Sequence, residues 1–336
     1  MIPGTLILLL AAASAQAAPP PPAFGNSPRM NQIQVVGTHN SYHRRPPHLE
    51  GIAAINSEAR DWDYEHAPLD TQLDRGVRSF ELDLHNTPEG WRIFHVPILD
   101  SESTCRMLTD CLGVVKAWSD AHPGHVPVSF LLEHKVEGPL LDPGNISMPG
   151  AADLDRLDAD IRAVFPPDRL ITPDDVRGGF ATLEEAVLKR GWPSLDSVRG
   201  RVFFIFHETT ELRDLYAAGR PSLQGRAMFV NSEPGRPDAA AMVRDNPDNP
   251  ETPELVRKGY WVRATAGGPG KRGLEAAQAR RDRALACGAQ IVSTDYPPGE
   301  PHAPTGFTLS LPDGAPARWN PVNPPEDTST PPEPAK

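Results

Sequence analysis

Two short stretches carry residue types that could do chemistry together: Gly37-Thr38-His39-Asn40-Ser41-Tyr42-His43 and Glu81-Leu82-Asp83-Leu84-His85. The first sets an imidazole beside an amide at the end of the apolar run Ile33-Gln34-Val35-Val36. In the second, strand period two sends Glu81 and Asp83 to one face and Phe80, Leu82 and Leu84 to the other. Two carboxylates on an otherwise apolar strand repel each other, and desolvating them is costly unless a cation compensates. A hard divalent metal is the simplest remedy, because carboxylate and amide oxygens are what Ca²⁺ or Mg²⁺ accept. Ion pairing with Arg78 or Arg92 is the alternative that needs no metal.

These residues need strands to hold them. Apolar, β-branched runs predict strands at Ile33–Thr38, Ser79–His85, Val126–His134, Val202–His207, Met228–Ser232, Tyr260–Thr265 and Gln290–Asp295, with a weaker one at Ala240–Val243. Helices are predicted between them at Leu69–Arg75, Met107–Ala121, Asp153–Phe165, Leu183–Arg190, Glu208–Ala218 and Leu274–Ala286. Strands alternating with helices imply parallel pairing and right-handed crossovers. Seven or eight such units give an α/β fold of the (β/α)₈ TIM-barrel type, irregular around the weak strand. Trp91–Val96, after Pro88-Glu89-Gly90, reads as a hairpin on the functional rim. His39 and Asn40 close the first strand, Glu81 and Asp83 lie on the second, Glu133 to Lys135 close the third, and Arg263 and Asp295 end late strands. In such barrels that rim carries the active site.

The chain of 336 residues is 39% apolar, which suits one barrel with extensions. Its net charge of −11 shows no basic stripe, so nucleic acid is not an expected partner. Residues 1–17 read as an export signal, with Leu6–Leu10 followed by an Ala15-Gln16-Ala17 cleavage pattern, although the segment lacks Lys and Arg. A secreted or periplasmic location follows. Cys105 and Cys111 are close enough to bridge in an oxidising compartment, leaving Cys287 over; three unpaired thiols is the other reading. The organisation expected is a signal over 1–17, a Pro-rich linker over 18–30, a catalytic barrel over 31–300 and a disordered Pro-rich tail over 301–336.

At this point the sequence resembles a family. His39-Asn40, Glu81-x-Asp83, His95 on the hairpin and Glu133 resemble the active-site set of calcium-dependent phosphatidylinositol-specific phospholipases C. The closing run Gly288-Ala289-Gln290-Ile291-Val292-Ser293-Thr294-Asp295-Tyr296-Pro297 is similar to the secreted bacterial group. The resemblance implies a phosphoric diester hydrolase of the phospholipase C-like barrel type, with calcium held by Asn40, Glu81, Asp83 and Glu133. It implies attack of the inositol 2-hydroxyl on phosphorus, its proton taken with help from a ligating carboxylate such as Glu81. His39 would donate to phosphoryl oxygens and His95 would protonate the departing glycerol oxygen. Lys135 and Arg263 stand where a cation could hold a phosphate. The products would be diacylglycerol and inositol 1,2-cyclic phosphate. Phosphatidylinositol or a related phospholipid is the expected partner, with peripheral membrane contact through rim loops and a monomeric state. The run Ala264-Thr265-Ala266-Gly267-Gly268-Pro269-Gly270-Lys271-Arg272 departs from the acidic run of bacterial relatives, which bears on substrate preference.

Two other readings compete. A glycerophosphodiester phosphodiesterase would carry a similar Glu-x-Asp pair but usually His-Arg at the first strand, where this chain has His39-Asn40. A silent barrel that binds a sugar phosphate is the non-enzymatic reading. His43 and His85 are read as shaping the rim, and His134 as pointing away from the face of Glu133. Trp118, Trp192 and Trp261 are read as core, and Trp62 as a loop aromatic. Asp295 is either support for the site or a structural cap.

Overall fold

The computed structural model describes residues 22–25, 28–135 and 146–334. The expected export signal over 1–17 lies outside the described residues, as does part of the linker over 18–30. Ten strands form among the described residues: β1 (Ile33–Thr38), β2 (Val77–Thr87), β3 (Gly90–Ile93), β4 (Val128–His134), β5 (Val202–Phe206), β6 (Phe229–Val230), β7 (Ala241–Val243), β8 (Trp261–Thr265), β9 (Ile291–Thr294) and β10 (Ala317–Trp319). Nine α-helices accompany them among the described residues: α1 (Leu49–Ile55), α2 (Leu69–Asp74), α3 (Leu108–Ala121), α4 (Ala151–Val164), α5 (Pro173–Arg177), α6 (Leu183–Lys189), α7 (Thr210–Tyr216), α8 (Glu251–Lys258) and α9 (Leu274–Ala286).

Eight strands run parallel in the order β6-β5-β4-β2-β1-β9-β8-β7. The two ends meet at one bridge, Asn231 to Ala241, where Ser232 N donates to Ala241 O at 3.0 Å. The result is the (β/α)₈ barrel, thin where β6 and β7 meet. Its weak point has a simple cause. Ala239, Ala240 and Ala241 bury small side chains that contribute little packing to a strand.

Packing is apolar on both sides of the sheet. Phe130 stacks on Phe204 with centroids 4.7 Å apart, and both approach Phe165 at the end of α4. Near the strand starts, Trp261 packs edge-on against Phe203 at 4.9 Å and Trp192 at 5.6 Å. Trp118 is also buried, so the three tryptophans read as core are core. Gly37 is required by close approach: a Cβ there would stand 3.0 Å from both Ile291 Cγ2 and Ser79 Cβ, atoms of the strands flanking β1.

The stretch after Pro297 departs from the expected disorder. Residues 298–334 fold onto the barrel, burying Phe307, Leu309 and Leu311. β10 runs antiparallel to the start of β1, pairing Ile33 with Trp319 and Val35 with Ala317. Glu333 forms an ion pair with the wholly buried Arg78 and accepts from Val126 N at 2.9 Å. The tail's apolar residues fill separate niches without a repeating period, which is why composition alone suggested disorder.

Cys105 and Cys111 are joined as a disulfide, their Cα atoms 5.2 Å apart, and Cys287 is a buried thiol. Among the described residues no helix is long and apolar enough to cross a membrane.

Candidate active site

β1 ends in a turn that presents His39 and Asn40 at the rim. Asn40 takes φ = 45°, a left-handed conformation that asparagine tolerates better than most side chains. The turn is clasped to β2: Ser41 N donates to Glu81 O at 2.9 Å, and Glu81 N donates back to Ser41 Oγ at 2.8 Å. Asn40 Nδ2 donates to Tyr64 Oη at 3.2 Å, which orients the amide. Its Oδ1 is buried and has no hydrogen-bond partner among the described residues.

β2 and β4 supply the carboxylates. Their register sets Asp83 opposite Glu133, and oxygens of Glu81, Asp83 and Glu133 lie within 4.8 Å of one another. The Asp83 side chain is fully buried, and neither oxygen makes a hydrogen bond among the described residues. Burial pushes its pKa up to about 7, the neighbouring Glu133 and Glu81 adding to the rise and Lys135 opposing it. Glu133 is held below its ordinary value: burial works against ionisation, but Lys135 and His207 outweigh it.

Two cations sit against this cluster. Lys135 Nζ lies 2.7 Å from Glu133 Oε1 and 3.8 Å from Asp83 Oδ2. Arg263 bridges Glu81 and Asp245 and donates to Ser293 Oγ at 3.2 Å. Neither Arg78, spent on Glu333, nor Arg92, over the Phe94 ring, pairs with the strand carboxylates; Arg263 pairs with Glu81, and Lys135 pairs with Glu133, the metal-free alternative for that residue.

His39 Nδ1 lies 2.8 Å from Asp295 Oδ1, and its Nε2 stands 3.8 Å from Glu81 Oε1. Burial disfavours the imidazolium, yet Glu81 and Asp295 outweigh it and raise the pKa to about 9. Asp295 therefore supports His39. His66 Nε2 lies 3.0 Å from the His39 carbonyl, and Glu300 anchors the other His66 nitrogen at 2.6 Å. His95 stands on the loop after β3, which pairs antiparallel with β2 as the hairpin required. Its Nδ1 lies 2.7 Å from Asp100 Oδ2, and Trp62 meets its ring edge-on at 5.3 Å. His85 stacks on Phe94 with centroids 3.7 Å apart, and burial lowers its pKa to about 3, so it is a core residue.

The loop after β8 lines a cavity of about 570 Å³ beside Asp295, together with Arg60, Asp61 and Tyr296. Gly268 is fitted to it, since a Cβ there would come within 2.2 Å of the Tyr296 ring.

The sequence matches the family of Ca²⁺-dependent phosphoinositide phospholipases C over residues 28–92 and 86–321. The chain belongs to this family. A Ca²⁺-dependent phosphatidylinositol-specific phospholipase C from Streptomyces antibioticus is 24% identical, with 80% of this chain and 95% of that one covered and a TM-score of 0.57. A calcium-dependent phosphoinositol-specific phospholipase C from the Gram-negative bacterium Pseudomonas sp. is 18% identical, with 87% and 95% covered and a TM-score of 0.57. At these identities the two structures speak for the fold. No curated protein matches the sequence. Family membership makes the chain a calcium-dependent phosphatidylinositol phospholipase C, a phosphoric diester hydrolase, as the sequence resemblance implied.

The residues fit a calcium ion. All the donors are oxygens, three carboxylates share one small volume, and Asn40 Oδ1 and both Asp83 oxygens are buried without partners among the described residues. Sequence reasoning missed Ser41, Tyr64, His66, Asp100, His207 and Asp245. Their partners come from distant positions or from loops, so no local spacing marks them.

Proposed function

We propose that this chain is an exported phospholipase C that cleaves phosphatidylinositol, or a related inositol phosphodiester, by attack of the inositol 2-hydroxyl on phosphorus. Diacylglycerol leaves and inositol 1,2-cyclic phosphate forms. The observation that carries this reading is the carboxylate trio Glu81, Asp83 and Glu133, together with the partnerless amide oxygen of Asn40, whose chain neighbour Ser41 is clasped to Glu81.

In this reading Asn40, Glu81, Asp83 and Glu133 hold calcium, which would supply a lowered hydroxyl pKa and offset the charge developing on the phosphoryl group. Glu81 accepts the proton of the 2-hydroxyl. His39, kept cationic by Glu81 and Asp295, donates from Nε2 to the non-bridging oxygens. His95 gives a proton to the departing glycerol oxygen. Lys135 and Arg263, now seated on the carboxylates, hold the phosphate or a ring phosphate once those carboxylates have another cation.

The Cys105–Cys111 disulfide supports an oxidising compartment. Ile98, 67% exposed in the loop that carries His95, and Ile55, 93% exposed at the end of α1, supply an apolar contact for the lipid surface. The protein acts there as a monomer.

The test is phosphorus NMR of purified protein with phosphatidylinositol vesicles and, separately, with glycerophosphocholine, each in calcium and in chelator. Calcium-dependent appearance of the cyclic phosphate supports the reading. Choline-side cleavage of glycerophosphocholine, or binding with no product, would replace it.

A further inference from the structure

The hydrogen bond from His95 to Asp100 is the outer part of a larger buried network. Asp100 Oδ2 lies 2.7 Å from His95 Nδ1 and 2.8 Å from His43 Nε2. On its far side, His43 Nδ1 lies 3.1 Å from the Tyr64 carbonyl oxygen. The side chains of His43 and Asp100 are fully buried, whereas that of His95 is 20% exposed.

The backbone is bent to make this possible. Val96 N donates to Asp100 O and Asp100 N to Val96 O, each at 2.9 Å, closing a tight loop under His95. Ile98, at the tip, takes φ = 67°, a conformation that β-branched side chains strongly resist. His43 is fixed as firmly: its N–H donates to Asn40 O at 2.8 Å, and it bridges to Ser103.

Donor and acceptor accounting then assigns the protons. A carbonyl only accepts, so His43 Nδ1 carries a hydrogen. His43 Nε2 is held against the Asp100 carboxylate oxygen at 2.8 Å. The same oxygen accepts from His95, which puts a hydrogen on Nδ1 and leaves Nε2 as the nitrogen free to meet substrate. Trp62, edge-on at 5.3 Å, flanks the ring.

We infer that Asp100 and His43 are positioning residues for departure of the leaving group: they fix the His95 ring so that Nε2–H is presented to the glycerol oxygen. This rests on the proposal that His95 is the general acid. As the bond from the 2-oxygen to phosphorus forms, the bond from phosphorus to the glycerol oxygen breaks and its electron pair goes to that oxygen. The proton on His95 Nε2 follows. Nδ1–H keeps its hydrogen bond to Asp100; the 2-hydroxyl proton accepted by Glu81 passes to solvent, and the neutral His95 ring takes one proton back from solvent.

A leaving group that needs no proton separates positioning from mere structure. Turnover is compared on phosphatidylinositol, whose alkoxide must be protonated, and on a soluble nitrophenyl ester of inositol phosphate, whose phenolate leaves unaided. Asp100→Asn should lower kcat on the lipid by about 10²-fold and on the aryl ester by less than about threefold, within the range for loss of general-acid catalysis. His43→Gln, which leaves the Asp100–His95 bond in place, should show the same selectivity at about tenfold. Both should bind calcium as the wild type does, measured by calorimetry. His95→Ala sets the limit of the discrimination. Equal slowing of both substrates by Asp100→Asn and His43→Gln, with discrimination kept by His95→Ala, would overturn the inference. Equal slowing by His95→Ala would instead overturn the general-acid role on which it rests.

Discussion

Asp295 Oδ1 lies 2.8 Å from His39 Nδ1, so the carboxylate at the end of the last barrel strand orients the imidazole at the end of the first. With Glu81 on the other side, it keeps that ring protonated up to about pH 9, against the effect of burial. Asp295→Asn removes one of the two carboxylates that raise the pKa. In the calcium-free protein the His39 ring should then titrate at lower pH by NMR. The alkaline limb of kcat, set by loss of the His39 proton, should move down with it, and kcat should fall about 10- to 100-fold. An unmoved limb would assign it to another group.

Asp83 gives a prediction in which stability and function oppose each other. Burial raises its pKa to about 7, far above the value for an unfolded chain. A raised carboxyl contributes stability that is complete below the unfolded pKa and lost as pH rises through the folded one. The calcium-free protein should therefore lose stability between about pH 4 and pH 7 on account of this group. Asp83→Asn should raise calcium-free stability at pH 8 by about 1–3 kcal/mol in urea unfolding, while abolishing the stabilisation that calcium gives the wild type. A destabilised variant would mean that Asp83 is satisfied without a metal. In the wild type, calcium binding below pH 7 should release a proton, read by calorimetry in buffers of different ionisation enthalpy.

Lys135 competes with any cation for Glu133 and Asp83, from 2.7 and 3.8 Å. Lys135→Gln should tighten calcium binding about fivefold in the absence of lipid, as expected for losing about 1 kcal/mol of competing charge. It should also raise KM for phosphatidylinositol, because the same ammonium is assigned to phosphate. Weaker calcium binding would show that Lys135 holds the carboxylates in place.

Arg78 and Glu333 tie the tail to the bottom of the barrel, far along the chain from each other. Arg78 is wholly buried and also donates to the carbonyls of Leu73 and Val77 at 2.8 Å. Glu333→Ala leaves that charge without its partner and should cost about 3–5 kcal/mol in urea unfolding, with little change in kcat of the folded enzyme. A cost under about 0.5 kcal/mol would mean that the Arg78–Glu333 pair contributes nothing to holding the tail on the barrel.

Much of this architecture was readable before any coordinates. Ile33–Thr38 and Leu274–Ala286 have the predicted bounds: the strand is a continuous buried run, and the helix lies between Gly273 and the Cys287-Gly288 stop. The period-two argument for Glu81 and Asp83 holds because one side of a barrel strand faces the interior. The helices over Leu49–Ile55, Pro173–Arg177 and Glu251–Lys258 were missed, the first being a seven-residue turn of chain with a single buried residue, Leu49. Pro173–Arg177 is only five residues long, although Thr172 and Asp175 form a capping box, and Glu251–Lys258 carries Pro253 within its first turn. The tail was misread because proline content masks scattered apolar anchors such as Leu309 and Leu311. Asp100 and His43 were not paired because nothing local in the sequence links positions 57 residues apart.

The central claim is that a single calcium ion is held by oxygens from three strand ends. The direct measurement is anomalous diffraction from a crystal soaked in calcium. The account predicts one peak with Asn40 Oδ1 and oxygens of Glu81, Asp83 and Glu133 each about 2.3–2.6 Å away. A peak elsewhere, or none at these four residues at saturating calcium, would contradict it.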